Sequence, residues 1–197
     1  MKAEILSFEE FAKIRESKNL GKIIAVSGGF DPLHSGHLYY IHESKKLGDI
    51  LVAIVNGDNF LRNKKGKPFM FHNERMDILS HIKSIDYVIP YETFDDHTCI
   101  VALQKLKPDV FAKSGDRVDK KTIPEWQTCV DNKIEIIIIP PAPTDDVHSS
   151  KYLERWFMAK LKMKFKFIVN PYNRLYFYIA TRLSEKSKNK IKKIIKK

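Results

Sequence analysis

The 197-residue sequence predicts an α/β fold in which a doubly wound, five-stranded parallel sheet carries helices on both faces. Three observations support this prediction. Short apolar runs alternate with helical segments along the chain. The apolar runs are continuous and do not alternate with polar residues, which is typical of strands buried on both faces. Several of the runs end in glycine-containing turns, where the chain leaves a strand for the next helix.

The elements follow one another in a regular order. A helix is predicted at residues 7–18, because Ser7 and Glu10 have the spacing of a capping box. Strands are predicted at residues 22–28, 49–58, 85–91, 109–116 and 133–141, and helices at residues 36–47, 71–82, 96–106, 122–132 and 149–160. Asn73 is the predicted N-cap of the third helix. Since parallel strands are joined by right-handed crossovers, this order predicts a Rossmann-like sheet that binds ligands at the carboxyl ends of its strands.

Charge divides the chain into two parts. The net charge is +11, but residues 151–197 hold 15 of the 35 lysines and arginines and only two of the 24 acidic residues. The rest of the chain is close to neutral, which argues against nucleic acid as a partner. We therefore predict a domain at residues 1–160 and a basic, aromatic-rich extension at residues 161–197.

The extension carries two patterns. Residues 160–167, "KLKMKFKF", alternate with a period of two, as a strand or an interfacial segment would. From residue 174 onward, apolar residues recur at near-helical spacing among lysines, which is typical of a basic amphipathic helix. Such a segment can lie on an anionic membrane surface, pack on a second subunit, or pack on its own domain.

The sequence also bears on location. The two cysteines, Cys99 and Cys129, are too few for a disulfide framework and indicate a reducing compartment. The amino-terminal residues lack the apolar core of a signal peptide, and no run of about 18 apolar residues is present. We predict a cytoplasmic protein, peripheral at the inner face of a membrane if the extension binds lipid.

The stretch "SGGFDPLHSGH", residues 27–37, carries the strongest chemical signal. Gly28 and Gly29 let a phosphate approach the backbone at the strand exit, and the helix that follows favours negative charge at its N-terminus. His34 and His37 flank Gly36, so both imidazoles could donate to phosphate oxygens as charge builds up in a transition state. Asp31 could orient this loop or hold a metal ion. No cysteine or acidic residue has the spacing for a zinc site there.

The motif "GGFDPLHSGH" resembles the His-x-Gly-His signature of the cytidylyltransferase-like nucleotidyltransferases. The resemblance extends over about residues 22–160. It includes "AIVNGDNFLRNKKGKPFMFHNERMDIL", with a lysine-bearing loop, and "VFAKSGD" at the end of the fourth strand. It also includes "DVHSSKYL", a serine pair before the last helix. The groups it is most similar to are glycerol-3-phosphate cytidylyltransferase and the adenylyltransferase domain of ADP-heptose synthesis.

The resemblance implies that a phosphate monoester attacks the α-phosphorus of a nucleoside triphosphate with Mg²⁺, releasing pyrophosphate, in a homodimer. The catalytic residues that it implies are His34, His37, Lys64, Lys67 and Arg75. The implied nucleotide-binding residues are Gly28, Gly29, Phe30, Asp31, His34, Gly36, His37, Lys65, Gly115, Asp116, Ser149 and Ser150. The implied acceptor-binding residues are Asp58, Arg75, Arg117 and Trp126. Trp126 could instead pack beneath a loop.

Alternatives remain open at this point. CTP is preferred as the nucleotide because the length and layout resemble stand-alone cytidylyltransferases. However, "PPAPTDDVHSS" lacks the arginine that glycerol-3-phosphate cytidylyltransferases carry there, which leaves ATP open. The "GGFDP" start is also similar to that of pantetheine-phosphate and nicotinate-mononucleotide adenylyltransferases, so the acceptor is not fixed. The other classes of function are a non-catalytic nucleotide sensor and, more weakly, a basic nucleic-acid-binding protein.

Overall fold

The computed structural model describes residues 2–93, 98–114, 120–143 and 148–168. These residues form six strands and seven α-helices, which alternate except that two helices lie between the third and fourth strands. The strands are β1 (Glu4–Ile5), β2 (Ile23–Gly28), β3 (Ile50–Asn56), β4 (Tyr87–Tyr91), β5 (Val110–Ser114) and β6 (Glu135–Ile139). The helices are α1 (Phe8–Ser17), α2 (Ser35–Lys45), α3 (Asp58–Lys65), α4 (His72–Ser80), α5 (Ile100–Leu106), α6 (Trp126–Asp131) and α7 (Ser149–Ile168). A short 3₁₀ turn precedes α6.

The strands form one parallel sheet in the order β1-β4-β3-β2-β5-β6. The predicted α/β, doubly wound architecture is therefore confirmed, but the predicted count of five strands was wrong. The sixth strand, β1, has only two residues and pairs with β4 at the edge of the sheet. The order of strands reverses between β2 and β5, and such a switch point opens a crevice at the carboxyl ends of the two strands.

The sheet is buried on both faces because its side chains alternate between two apolar layers. Ile23 and Ala25 of β2 belong to the layer that includes Phe11 of α1. Ile24 and Val26 belong to the opposite layer. The first layer is covered by α1, α5 and α6, and the second by α2 and α4. Burial on both sides explains why the central strands read as continuous apolar runs.

Local signals set most helix starts. The capping box predicted at Ser7 is present: its hydroxyl accepts from the Glu10 N–H, and its own N–H donates to the Glu10 carboxylate. At α4 the prediction was wrong, because the N-cap is Phe71 and Asn73 lies inside the helix. The helix α3 was missed, since residues 58–65 were predicted as the end of a strand and a loop.

The chain divides into two compact units, Met1–Ser149 and Ser150–Lys197. Residues 160–167, predicted as a strand or an interfacial segment, belong to the α-helix α7, so the strand alternative was wrong. The amphipathic helix predicted from residue 174 lies outside the described residues. Within the described residues, the helices are too short or too polar to cross a bilayer.

Candidate active site

The two glycines at the exit of β2 pack closely against neighbouring side chains. A Cβ on Gly29 would lie 2.7 Å from Cδ2 of Leu61 in α3, and one on Gly28 would lie 3.2 Å from the ring of Phe30. A side chain at either position would have to displace the side chain of Leu61 or Phe30, so packing favours glycine here, in addition to the close ligand approach that the sequence predicts. The loop that leaves β2 then runs to the N-terminus of α2.

The two predicted histidines form one stacked pair at that N-terminus. Their ring centroids are 3.8 Å apart, with 25° between the ring planes. His34 is the N-cap residue of α2, and its Nδ1 accepts from the backbone N–H of His37 at 3.4 Å. Because Nδ1 accepts this bond, the neutral ring of His34 carries its proton on Nε2. Phe30 packs edge-on against the ring of His37, with their centroids 5.2 Å apart.

Burial makes both imidazoles resist protonation. It lowers the pKa of His37 to about 3, with smaller contributions from the charges of His34 and Lys65. Burial also lowers the pKa of His34, helped by His148 and Lys65. Within the described residues, Nδ1 of His37 is buried without a hydrogen-bond partner. The pair is therefore neutral at pH 7 and offers N–H donors rather than fixed positive charges.

The predicted lysines do not all lie in a loop. Lys64 and Lys65 occupy the last turn of α3, which ends at Gly66 with φ of 85°. Lys65 Nζ donates to the carbonyl oxygen of Asp31 at 2.6 Å, which brings its ammonium beside the exit of β2. Partial burial lowers the pKa of Lys65. Lys64 Nζ lies over the ring of Phe60, 5.7 Å from its centroid, while Lys67 is exposed in the segment before α4.

Asp31 ties two segments of the site together. Its side chain is buried, with 1% of the residue exposed. The two carboxylate oxygens accept from the backbone N–H groups of Phe69 and Met70, each at 2.8 Å. Of the two alternatives for Asp31, loop orientation is the one that this geometry supports, since both oxygens already have donors.

Arg75 lies in the interior and not on the surface of α4. Its guanidinium donates to the carbonyl oxygens of Gly29 and Asn56, at 2.7 and 2.6 Å. It also donates to the carbonyl of Met70 and to the carboxylate of Asp58, the latter at 2.8 Å. Arg75 thus joins the exits of β2 and β3, and the predicted acceptor ligand Asp58 is its counter-ion. In this arrangement Arg75 holds the exits of β2 and β3 together from the interior of the protein.

The structure also describes the predicted site residues Ser149, Ser150 and Trp126. Ser149, at the start of α7, donates from its hydroxyl to the carbonyl oxygen of Pro32 at 3.0 Å, so it contacts the loop before the histidines. Ser150 is exposed. Trp126 is half-buried and packs against the apolar layer of α1, α5 and α6, which agrees with the packing alternative. Gly115, Asp116 and Arg117 lie outside the described residues.

Sequence reasoning missed two groups near the strand ends. Glu92, after β4, accepts from the N–H groups of Asp58 and Asn59, both at 3.0 Å, at the start of α3. Lys113, in β5, forms an ion pair with the buried carboxylate of Glu125 at 3.3 Å. Lys113 and Glu125 are 12 residues apart, and Glu92 is 34 residues from Asp58, so neither pairing has a local sequence signal.

Comparisons with known proteins identify the family of the chain. Residues 25–155 match the family model described as cytidylyltransferase-like. The bifunctional protein HldE of Helicobacter acinonychis is 36% identical over 122 residues, which is 61% of this chain and 26% of that protein. HldE of Campylobacter concisus is 34% identical over the same length and covers 61% of this chain and 25% of that protein. The chain thus spans about a quarter of the length of these relatives.

Solved structures show the same fold. A lipopolysaccharide core biosynthesis protein from Thermoplasma volcanium aligns with a TM-score of 0.53 and 30% identity, covering 64% of this chain and 99% of that one. A pantoate-beta-alanine ligase from Francisella tularensis aligns with a TM-score of 0.56 and 17% identity, covering 76% and 72% of the two chains, and supports the fold alone. Because the family model matches most of the chain and includes the histidine pair, the chain belongs to the cytidylyltransferase-like family.

Proposed function

We propose that this protein is a nucleotidyltransferase that transfers a nucleoside monophosphate from a nucleoside triphosphate to a small phosphate monoester and releases pyrophosphate. The observation that carries the proposal is the stacked pair His34 and His37 at the N-terminus of α2, next to the Gly28–Gly29 strand exit. Family membership and the HldE relatives support the reaction class.

The chemistry needs no nucleophile from the protein. A phosphate oxygen of the acceptor attacks the α-phosphorus, the bond from that phosphorus to the β-phosphate oxygen breaks, and pyrophosphate leaves with the bonding electrons. Imidazole N–H groups beside the α-phosphate stabilise the charge of the five-coordinate transition state, as does the N-terminus of α2. Lys65, and the neighbouring Lys64 and Lys67, are suited to the leaving pyrophosphate. Catalysis is then positioning and charge stabilisation.

Mg²⁺ is expected to enter with the triphosphate and to neutralise part of its charge. The described residues of the site do not form a metal cage of their own. Both carboxylate oxygens of Asp31 accept backbone N–H groups. In the described part of the chain, no three metal-ligating side chains of histidine, cysteine, aspartate or glutamate converge.

ATP is the nucleotide that we now favour, although the sequence alone preferred CTP. The matched relatives are HldE proteins, and the sequence resembles the adenylyltransferase domain of ADP-heptose synthesis. The segment before Ser149 also lacks the arginine associated with CTP in glycerol-3-phosphate cytidylyltransferases. By the same resemblance, a sugar phosphate is the favoured acceptor, and a homodimer is the favoured assembly.

The test is pyrophosphate release with Mg²⁺, in which ATP, CTP, GTP and UTP are each combined with a panel of phosphate monoesters. The panel contains sugar 1-phosphates, glycerol 3-phosphate, phosphocholine and phosphoethanolamine. We expect release that requires one nucleotide and one acceptor, and that falls by about 100- to 1,000-fold in His37→Ala. Nucleotide binding without release from any pair would support the sensor instead, and would contradict the enzyme.

We further propose that the basic C-terminal part of the chain, residues 151–197, attaches the protein to an anionic membrane surface, at the cytoplasmic face. Four large apolar residues of α7 are exposed to between 43% and 56%: Tyr152, Trp156, Phe157 and Met158. Basic residues at positions 151, 155, 160 and 162 are exposed on the same helix. Exposed aromatic side chains beside lysines and arginines are typical of helices that lie in a membrane interface.

A further inference from the structure

A buried polar cluster lies at the carboxyl end of β5, apart from the histidine pair. Lys113 Nζ lies 3.3 Å from Oε2 of Glu125, and the Glu125 side chain is only 3% exposed. The other carboxylate oxygen, Oε1, accepts from the backbone N–H of Cys99 at 3.2 Å and lies 3.3 Å from the Cys99 thiol. That thiol is also 3.5 Å from the hydroxyl of Ser27 in β2. The cluster thus joins the ends of β2 and β5 to the starts of α5 and α6.

This cluster and the histidines stand on opposite faces of the sheet at the same crevice. Phe111 and Lys113 alternate with Val110 and Ala112 along β5, so Lys113 shares the face of Phe111, which α1, α5 and α6 cover. The helix α2, with His34 and His37 at its start, covers the other face. β2 and β5 are neighbours at the switch point, where the crevice opens between the two faces.

Stability alone is a weak reason for this ion pair. Burying a lysine and a glutamate costs desolvation energy that their attraction only partly returns, and apolar residues of similar size commonly serve as well. Lys113 keeps 25% of its side chain exposed. Among the described residues, one of its three N–H donors is used, in the bond to Glu125. The ammonium also lies over the ring of Phe111, 4.9 Å from its centroid, and within the described residues its remaining N–H groups can turn toward a ligand in the crevice.

The geometry of in-line displacement indicates which chemical group of the ligands Lys113 contacts. The attacking and leaving oxygens lie on opposite sides of the α-phosphorus. The helix α3, with Lys64 and Lys65, follows β3 on one side of β2, and Lys113 lies in β5 on the other side. If Lys65 and its neighbours take the leaving pyrophosphate, then a cation on the β5 side is suited to the acceptor phosphate.

We propose that Lys113 binds the phosphate of the acceptor and that Glu125 is the residue that positions it. This assignment rests on the nucleotidyltransfer reaction proposed above. The ammonium of Lys113 donates a charge-assisted hydrogen bond to the acceptor phosphate and holds it for attack. Glu125 is fixed by Cys99 and by its burial. Although burial opposes ionisation, Lys113 and the N–H of Cys99 hold the pKa of Glu125 below its ordinary value.

Steady-state kinetics of the full chain test the assignment, with nucleotide and acceptor varied separately. For Lys113→Met we expect the KM for the acceptor to rise by about 10- to 100-fold, while the KM for the nucleotide stays within twofold. Lys113→Arg keeps a cation and should recover part of the loss. Glu125→Gln removes the counter-charge but keeps the shape, and should raise the acceptor KM by a smaller factor. Lys105→Met, at an exposed position on α5, is the matched control and should change neither constant.

The outcomes separate this assignment from the reaction itself. No pyrophosphate release from the unaltered protein, with any pair, overturns the reaction and the assignment together. Release from the unaltered protein with an unchanged acceptor KM in Lys113→Met overturns the assignment alone. A rise confined to the nucleotide KM also overturns it, because Lys113 would then bind the triphosphate. If Lys113→Met fails to fold, as judged by its thermal transition, the kinetics of Lys113→Arg and Glu125→Gln decide by the same criteria.

Discussion

The stacked imidazoles of His34 and His37 provide hydrogen-bond donors without a permanent charge. Burial lowers the pKa of His37 to about 3, so its ring is neutral in the resting site at pH 7. A neutral donor that is already in position interacts most strongly where negative charge develops, and it needs little reorganisation during the reaction. With their centroids 3.8 Å apart, both rings lie side by side at the N-terminus of α2. In the proposed reaction, such a pair favours the transition state over the bound ground state.

The lowered pKa of His37 also predicts how stability changes with pH. Below about pH 6.5 the unfolded chain binds a proton at this imidazole, whereas the folded protein does not until about pH 3. The free energy of unfolding should therefore fall as the pH drops through this window, by about 1.4 kcal/mol per pH unit for one proton. Urea unfolding between pH 7.5 and 5 measures the slope. His37→Gln should flatten it, while His42→Gln, exposed on the same helix, should not. Equal slopes in all three proteins would contradict the prediction.

Arg75 gives the second prediction for a single residue. Its side chain is fully buried and satisfies three carbonyl groups and the carboxylate of Asp58. Arg75→Met leaves those acceptors buried without donors, so we expect a loss of about 3–5 kcal/mol in the free energy of unfolding. Arg62→Met, on the exposed side of α3, should lose less than about 1 kcal/mol. If urea unfolding shows Arg75→Met to be as stable as the control while activity is lost, Arg75 acts on substrate directly.

The individual site residues were predictable to different degrees. The histidine pair could be found because its signal is local: two imidazoles, a glycine and a strand exit lie within 11 residues. The burial of Arg75 could not be found, because three of its four partners lie far from it in sequence, after β2, at the end of β3 and at the start of α3. The Lys113–Glu125 pair could not be predicted for the same reason, because it depends on β5 lying beside the start of α6.

At the scale of elements, α3 shows how a helix can lack a sequence signal. Its residues, "DNFLRNKK", are polar, and only Leu61 is buried. Its N-cap, Gly57, has no side chain to cap the helix. The carboxylate of Glu92, at the end of β4, accepts from the first two N–H groups instead. A negative charge at a helix N-terminus also interacts favourably with the helix dipole. The cap therefore becomes available only when β3 and β4 pair.

Removing the carboxylate of Glu92, which caps α3, should destabilise this helix, so that the positions of Lys64 and Lys65 at its end are fixed less firmly. We expect Glu92→Ala to lower the free energy of unfolding by about 1–2 kcal/mol, as for other N-cap losses. It should also raise the KM for the nucleotide, because Lys65 depends on α3 for its position beside Asp31. Glu92→Gln keeps one acceptor oxygen. Its free energy of unfolding and its KM for the nucleotide should therefore lie between those of the unaltered protein and those of Glu92→Ala. Unfolding and kinetics of the three proteins are the measurement, and an unchanged stability in Glu92→Ala would show that α3 needs no cap.

Strand prediction succeeded at the centre of the sheet and failed at its edge. The central strands β2 and β3 are buried on both faces, and their apolar runs identify them. β1 has two exposed residues, Glu4 and Ile5, so neither length nor hydrophobicity marks it. In residues 160–167 the alternation of lysine and apolar residues favoured a strand, but the segment continues the helix α7. Its leucine, methionine and lysine residues are good helix formers, and an existing helix is easily extended.

For the whole molecule, charge is distributed unevenly between two parts of the chain. Residues 1–150 carry 20 basic and 22 acidic residues, so their charge is nearly balanced. Residues 151–197 carry 15 basic residues and two acidic ones, together with nine of the 22 aromatic residues. Lysines beside exposed aromatic residues attract anionic lipid and bury apolar area in the interface at the same time. In α7, the ammonium of Lys160 lies over the ring of Trp156, 4.5 Å from its centroid.

This arrangement predicts selective binding to anionic vesicles. Each basic residue near the lipid contributes about 1 kcal/mol, a contribution that salt screens. We expect the full chain to co-sediment with vesicles of phosphatidylcholine and phosphatidylglycerol but not with phosphatidylcholine alone, and to dissociate as salt is raised. A chain without residues 170–197 should lose most of the binding.

Trp156→Ser with Phe157→Ser tests the apolar contribution of α7 separately, and Val130→Ser, at an exposed apolar position in α6, is the matched control. Equal sedimentation of the full and shortened chains would remove the membrane role and leave packing on a second subunit or on the same chain as the function of the extension.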